Sequence, residues 1–303
     1  AIYQLLQVLD SEPLGYITAF GLKPTDVGGL MTMEGVLTVP LRASVGLDDV
    51  DFNATAQGVN VSLPDVLNGH GLVGGRVTVT ADRHGLEAQG TAMVGPQFAH
   101  ILWHENFEPN GQPSSRYHIR ASTDGGRLTR LGYDGVGALV EGPIDLTLDL
   151  VGRGQAIEGG TIRASLDRST IDLRKLGILK RPGEAATATF DLVRSGDLYQ
   201  VKDLVVRADR YHATGRGVLD PQRGSRHWFL DRLHTPAYVA AADIVDTDGQ
   251  PMRLAIRGDT LDLKPMLDIV LAPGPGEGEG EGSAGGAAAE SIWPDMVGGG
   301  SFR

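Results

Sequence analysis

The chain has 303 residues, 41 % hydrophobic but only 6 % aromatic, with 43 glycines and no cysteine. Its net charge of −11 argues against a nucleic-acid partner, because an acidic surface repels phosphate backbones. Without Cys there is no disulfide, thiolate zinc site or cysteine nucleophile, and no stretch reaches the about 18 apolar residues of a membrane-spanning helix.

The composition suits many short strands faced with Val, Leu, Ile and Ala. Ala1 to Asp10 sets Ile2, Leu5, Leu6 and Leu9 at helical spacing, so a short helix is expected there. Beyond it, period-2 alternation takes over. Val77, Val79 and Ala81 alternate with Arg76, Thr78, Thr80 and Asp82. The turn DRHG follows, with Gly85 expected at positive φ. Leu86, Ala88, Ala92 and Val94 continue one face of the returning strand, giving a hairpin with one apolar and one wet side. Ile144, Leu146, Leu148 and Leu150 form a second row, opposite Asp145, Thr147 and Asp149. Ile162, Ala164 and Leu166 form a third, Ala186, Ala188, Phe190 and Leu192 a fourth, and Leu204, Val206 and Ala208 a fifth.

A strand, a turn and a short Leu-rich segment recur. The copies are IRASTDGGRLTRLG from Ile119, IRASLDRSTIDLRKLG from Ile162 and LAIRGDTLDLKPML from Leu254, with a looser one, FNATAQGVNVSLPDVLNG, from Phe52. Leu128 and Ile171 are 43 residues apart, and Ile171 and Leu261 are 90 apart, so the period is about 45. Such a period marks stacked units that cannot bury their apolar faces alone. The segment Leu173 to Leu179 is expected to form a helical turn that caps the apolar face at a crossover. Pro273 to Ala289, PGPGEGEGEGSAGGAAA, is low-complexity linker.

Little chemistry is encoded. His100 and His104, followed by Glu105, have ligand-like spacing, but FAHILWHENF alternates as a strand and lacks an HExxH signature. Asp145 and Asp149 fall on the wet side of a strand, and Asp246 and Asp248 fall in a DTDGQP turn, where acids are solvated. There is no G-x-S-x-G elbow, and GEGEGEG lacks the Lys-Ser/Thr of a phosphate loop. Trp103, Trp228 and Trp293 are too scattered for a base-stacking platform. We therefore expect no catalytic residue, metal site or cofactor.

The expected fold is mainly β: an elongated, twisted antiparallel sheet curled into a hydrophobic groove, with a short N-terminal helix and short crossover helical turns. Residues 1–112 would form a first segment with the helix, 113–272 a repeated segment, and 273–303 a Gly-rich tail. The apolar face must be covered or remain open as a trough. A closed sandwich would make a scaffold that binds envelope proteins. An open trough would take acyl chains by transfer of methylenes, lined by Val77, Val79, Ala81, Leu86, Ala88, Ile144, Leu146, Leu148, Leu150, Ile162, Ala164, Leu166, Ala188, Phe190, Leu204 and Val206. Scattered acids leave hydrolysis of envelope polymers as a third reading. The chain begins at Ala1 without Met or a signal-peptide pattern, which we read as a piece of a longer protein or a processed one.

Several stretches, in order, resemble the AsmA-like family of Gram-negative envelope proteins, most closely its large YhdP-type members. LLQVLDSEPLGYITAFGLKP resembles the family's lead-in helix and PLGY…FG. GGRVTVTADRHGLEAQGTAMVGPQFAHILWHENF resembles a hairpin ending in W-x-E-x-F, here Trp103, Glu105 and Phe107. IRASLDRSTIDLRKLGILKRPGEAATATFDL, VKDLVVRADRYHATGRGVLD and GDTLDLKPML resemble the late module and its closing element. The resemblance covers about residues 1–270; the Gly-rich stretch after Pro273 departs from it, and the family's N-terminal membrane helix is not in this chain. It implies a periplasmic groove anchored to the inner membrane by a segment outside these residues, phospholipid acyl chains as the cargo moved between inner and outer membranes, envelope proteins as further partners, and no catalytic residues.

Overall fold

The computed structural model describes residues 2–10, 23–40, 51–67, 69–154, 156–174, 177–250 and 253–260. The expected linker and tail at 273–303, Trp293 and the closing LDLKPML segment lie outside them. Helix α1 (Ile2–Asp10) forms where the helical spacing predicts it, and Ile2 is buried. A 3-10 turn at Pro24–Asp26 leads into β1 (Gly28–Thr38) and β2 (Asp51–Leu67). β3 (His70–Asp82), β4 (Gly85–Val94), β5 (Gln97–Asn106) and β6 (Ser115–Asp124) follow. Two short helices, α2 (Gly125–Arg130) and α3 (Asp134–Leu139), interrupt the strands before β7 (Val140–Glu141) and β8 (Pro143–Arg153). Next come β9 (Ala156–Ser165), β10 (Thr170–Leu173), β11 (Ile178–Lys180) and β12 (Ala186–Ser195). The last are β13 (Leu198–Ala208), β14 (His212–Asp220), β15 (Ser225–His234), β16 (Val239–Thr247) and β17 (Arg253–Thr260).

Fourteen strands make one antiparallel sheet in the order β1-β2-β3-β4-β5-β6-β8-β9-β12-β13-β14-β15-β16-β17. Each strand pairs with the next in the chain, apart from two insertions that leave the sheet and return. One carries α2, α3 and β7; the other carries β10 and β11. Together they form a small sheet ordered β11-β10-β7. Among the described residues the large sheet ends at β1 and β17, and it is not closed into a barrel. The ladder runs unbroken through β5 and β6, across residues 112 and 113.

The recurring sequence motif does not give one structure. After β6 its Leu-rich part is helix α2, and Asp124 caps it by accepting from Arg127 N at 2.8 Å. After β9 the ends of the segment expected to be a helical turn, Leu173 and Ile178–Leu179, are strand and pair β10 with β11, while Arg174 lies in a 3-10 turn whose carbonyl accepts from Gly177 N at 2.8 Å. The stretch from Phe52 is a single long strand, β2. What does hold is the capping role: Leu173 and Ile178 pack on Ala213, Leu233, Tyr238 and Ala240. Gly85 also differs from expectation, because its φ is not positive. Its turn is closed by Asp82, whose Oδ1 accepts from the N–H groups of His84 and Gly85 at 2.8 and 3.1 Å. Glycine is needed there for closeness: a Cβ would stand 2.3 Å from the Glu105 carbonyl oxygen.

The insertions lie on the apolar side of the sheet. In one buried cluster Val140, Ile144, Leu166 and Ala186 meet, with Leu128, Leu139 and Ile171 packed against them. Lys180 ties the second insertion down. It is 1 % exposed, and its ammonium donates to the carbonyls of Leu166, Asp167 and Ser169. Burial pulls its pKa below the ordinary value.

The sheet is strongly curled. His70 Nε2 lies 3.0 Å from the Arg130 carbonyl, and Arg226 donates to the Gly132 carbonyl. One turn of two short helices therefore touches both β3 and β15, which are nine ladder steps apart. In a flat sheet that is about 43 Å, at about 4.8 Å per step. Twist of about −20° per step adds up to about half a turn over the same span, which brings opposite strand ends to the same side.

Ile144 is 2 % exposed beneath the insertions, whereas Leu148 on the same strand is half-buried. We expect Ile144→Ala to lower unfolding free energy by about 2–4 kcal/mol and Leu148→Ala by about half as much or less. Urea denaturation of the two variants measures the difference.

Candidate functional site

The register assembles the alternating rows into continuous tracks across the sheet. One row steps from Met33 to Ala56, Val79, Ala88, Trp103, Tyr117 and Leu150. It continues through Gly160, Leu192, Val201, Gly217, Trp228, Ile244 and Leu254. It crosses all fourteen strands without a charged residue. At about 4.8 Å per strand it spans about 60 Å. A neighbouring row runs through Gly58, Val77, Gly90, Ile101, Ile119, Leu148, Ile162 and Phe190. It resumes at Leu204, opposite Gly215, Leu230, Ala242 and Ile256.

All sixteen side chains expected to line a groove fall on this face. Fifteen of them divide into three groups, and Leu204 stands apart. Val77, Val79, Ala81, Leu86 and Ala88 lie on β3 and β4, Ala81 directly opposite Leu86. Leu148, Leu150, Ile162 and Phe190 occupy the middle of the sheet and are half-buried. Ile144, Leu146, Ala164, Leu166, Ala188 and Val206 pack against the insertions and form the floor beneath them. Leu204 is 8 % exposed.

Other residues of the face were not singled out from the sequence: Ile101, Trp103, Tyr117, Ile119, Val201, Trp228 and Ile244. On β5 the outward positions hold Phe98 and Leu102, so both sides look apolar and alternation is obscured. Trp103 and Tyr117 stack with ring centroids 6.1 Å apart. A Cβ at Gly217 would stand 2.9 Å from the Trp228 ring, so the glycine makes room for that indole.

Polar groups appear where the tracks reach the strand ends. Glu105 Oε2 accepts from Trp103 Nε1 at 3.1 Å and from Ser115 Oγ at 2.6 Å. Tyr117 donates its hydroxyl proton to the Gly154 carbonyl at 3.0 Å, and burial pushes its pKa up to about 12. Asp246 corrects the sequence reading of a solvated turn acid. It faces inward opposite Arg226, and the two side chains are 14 % and 12 % exposed. Asp248, at 49 % exposed, is the other acid on Arg226.

The opposite face carries cross-strand ion pairs beside exposed apolar residues such as Phe98. His118 Nδ1 lies 2.6 Å from Asp149, which also accepts from Arg163 at 2.7 Å. His227 lies 2.7 Å from Asp243, and Arg168 binds Asp145 through both carboxylate oxygens at 2.8 Å. His100 and His104 are exposed on β5, facing the Phe98 ring and Glu87 respectively. Among the described residues no group of three or more His, Asp or Glu is placed to hold a metal ion. A cleft of 540 Å³ between α2, α3, β7 and β10 is lined by Asp124, Glu141 and Asp172 together with Gly125, Gly126, Gly137 and Gly142.

No protein-family model matches the chain, and no curated protein or solved structure matches it either.

The outer carboxylates give the fold an acid limit. The His118 hydrogen bond, then Arg163, holds Asp149 below the usual carboxylate range, and Ser122 and Arg168 do the same for Asp145. A depressed folded pKa stabilises above the unfolded value of about 3.9 and is lost as pH falls through the folded one. We expect the melting temperature to decline from about pH 4 downward and the decline to flatten in Asp145→Asn/Asp149→Asn. Thermal scans from pH 7 to pH 2 measure it.

Proposed function

We propose that this protein is a non-enzymatic lipid-binding groove segment that carries phospholipid acyl chains along its apolar face. The observation that supports the reading is the uncharged track across fourteen strands, half-buried at its centre. A chain with no further use for such a face would cover it, because exposed apolar area of this extent invites association. Transfer of one methylene contributes about 0.8 kcal/mol, so a sixteen-carbon tail contributes about 12 kcal/mol before binding costs. Binding by area needs few polar groups, which fits a face that places them only at the strand ends. Head groups would stay at that rim, near Glu105 and the Arg226 pair.

The resemblance to AsmA-like envelope proteins supports the same reading and sets it in the periplasm, on a bridge that moves phospholipid between inner and outer membranes. The inner-membrane anchor would be a segment outside this chain. No described helix is long and apolar enough to cross a membrane. A closed scaffolding module is the competing reading. The two clusters under the insertions favour it locally, since there the face is a filled core.

Purified protein should carry co-eluting phospholipid, read by mass spectrometry of organic extracts. Leu148→Asp puts a charge mid-track and should cut bound lipid at least ten-fold while circular dichroism stays unchanged. A folded protein free of lipid, with no uptake from vesicles, would sink the proposal in favour of the scaffold.

A further inference from the structure

A charged pair occupies inward positions of a face whose rows are apolar away from the strand ends. Arg226 and Asp246 sit opposite one another on inward positions of β15 and β16. Burying such a pair is costly unless the geometry uses it, and an apolar pair would fill the same space more cheaply. The geometry does use it. Arg226 Nη1 lies 3.2 Å from Asp246 and 2.8 Å from Asp248, and Nη2 donates to the carbonyl of Gly132, 94 residues earlier. The guanidinium also lies 5.7 Å from the Tyr133 ring centroid. Burial works against its charge, and Asp248 and Asp246 more than compensate, holding its pKa above the ordinary value.

Gly132 and Tyr133 form the turn between α2 and α3. The hairpin so held lies over the apolar face, with Leu128 and Leu139 against the sheet. Each of its helices has six residues, too few to persist without tertiary contacts. Its base is Gly125 and Gly126, and its exit is Gly142 at φ +93°. Gly142, at positive φ, is suited to absorb a hinge rotation, whereas Gly125 lets the base of the hairpin pack closely on the Val140 and Gly137 carbonyls.

We propose that the α2–α3 hairpin is a hinged cover on the lipid track, latched by Arg226 through the Gly132 carbonyl. Opening the latch admits an acyl chain to the rows beneath. The inference rests on the lipid-groove reading.

A redox lock tests it, since the chain has no cysteine of its own. A Cβ at Gly135 would lie 2.8 Å from Asp246 Cγ, which places the two Cβ atoms within the about 3.5–4.5 Å of a disulfide. Gly135→Cys/Asp246→Cys is loaded from phosphatidylcholine vesicles containing a fluorescent phosphatidylethanolamine, oxidised and then reduced. We expect the oxidised form to load at least ten-fold more slowly than the reduced form. Arg226→Ala should load several-fold faster than the parent, with faster hydrogen exchange confined to 125–141. Equal rates in the oxidised and reduced forms would overturn the cover and leave the groove standing. No uptake by any form would overturn the groove, and the cover with it. Unchanged exchange at 125–141 in Arg226→Ala would overturn the latch.

Discussion

Everything in this fold follows from a period of two propagated through an antiparallel ladder. Residues opposite one another in such a ladder share a face, so one apolar row per strand becomes one apolar surface for the whole sheet. With fourteen strands in sequential order, that surface is long before any part of it is covered. Curling is the cheapest response available to a single layer. It brings half of the face round toward the other, and twist supplies the direction.

Keeping the phase over so many strands requires corrections, and the bulges make them. In β13 the ladder shifts between Val201 and Leu204, with Asp203 at φ +49°. Two residues, Lys202 and Asp203, lie between these side chains, yet both face inward and are buried. β15 repeats the device between Leu230 and Leu233. Without the extra residue, Lys202 would face the track in place of Val201. The bulges thus act as phase correctors that keep charge on the outer face.

The insertions divide the face into two regimes. Where α2, α3 and the small sheet sit, Ile144, Leu166 and Ala186 form a conventional core that supplies stability. Along the middle strands, Leu148, Leu150 and Ile162 gain much less burial. A groove of this kind needs both regimes, since an entirely open sheet has too little core to hold its curl. The outer face compensates with cross-strand ion pairs such as Asp149 with Arg163, individually weak at this exposure.

The alternation at 77–94, 144–166 and 186–208 was enough, by itself, to name the β class and the inward side of those strands, because side-chain direction in a strand is a local property. The N-terminal helix was legible for the same reason. Local pattern could not place Ile101 and Trp103, since β5 carries apolar residues on both sides, whereas on β6 Tyr117 and Ile119 alternate with Arg116, His118 and Arg120 and their side was legible. Nor could it foresee that Val201 and Leu204 share a face across a bulge. Whether a Leu-rich segment becomes a helix, as after β6, or a hairpin, as after β9, was decided by what it packs against. Asp246 looked like a solvated turn acid, and only the curl that carries Gly132 to Arg226 made it half of a buried pair. Those outcomes depend on contacts between residues far apart in the chain, and no short window of sequence contains them.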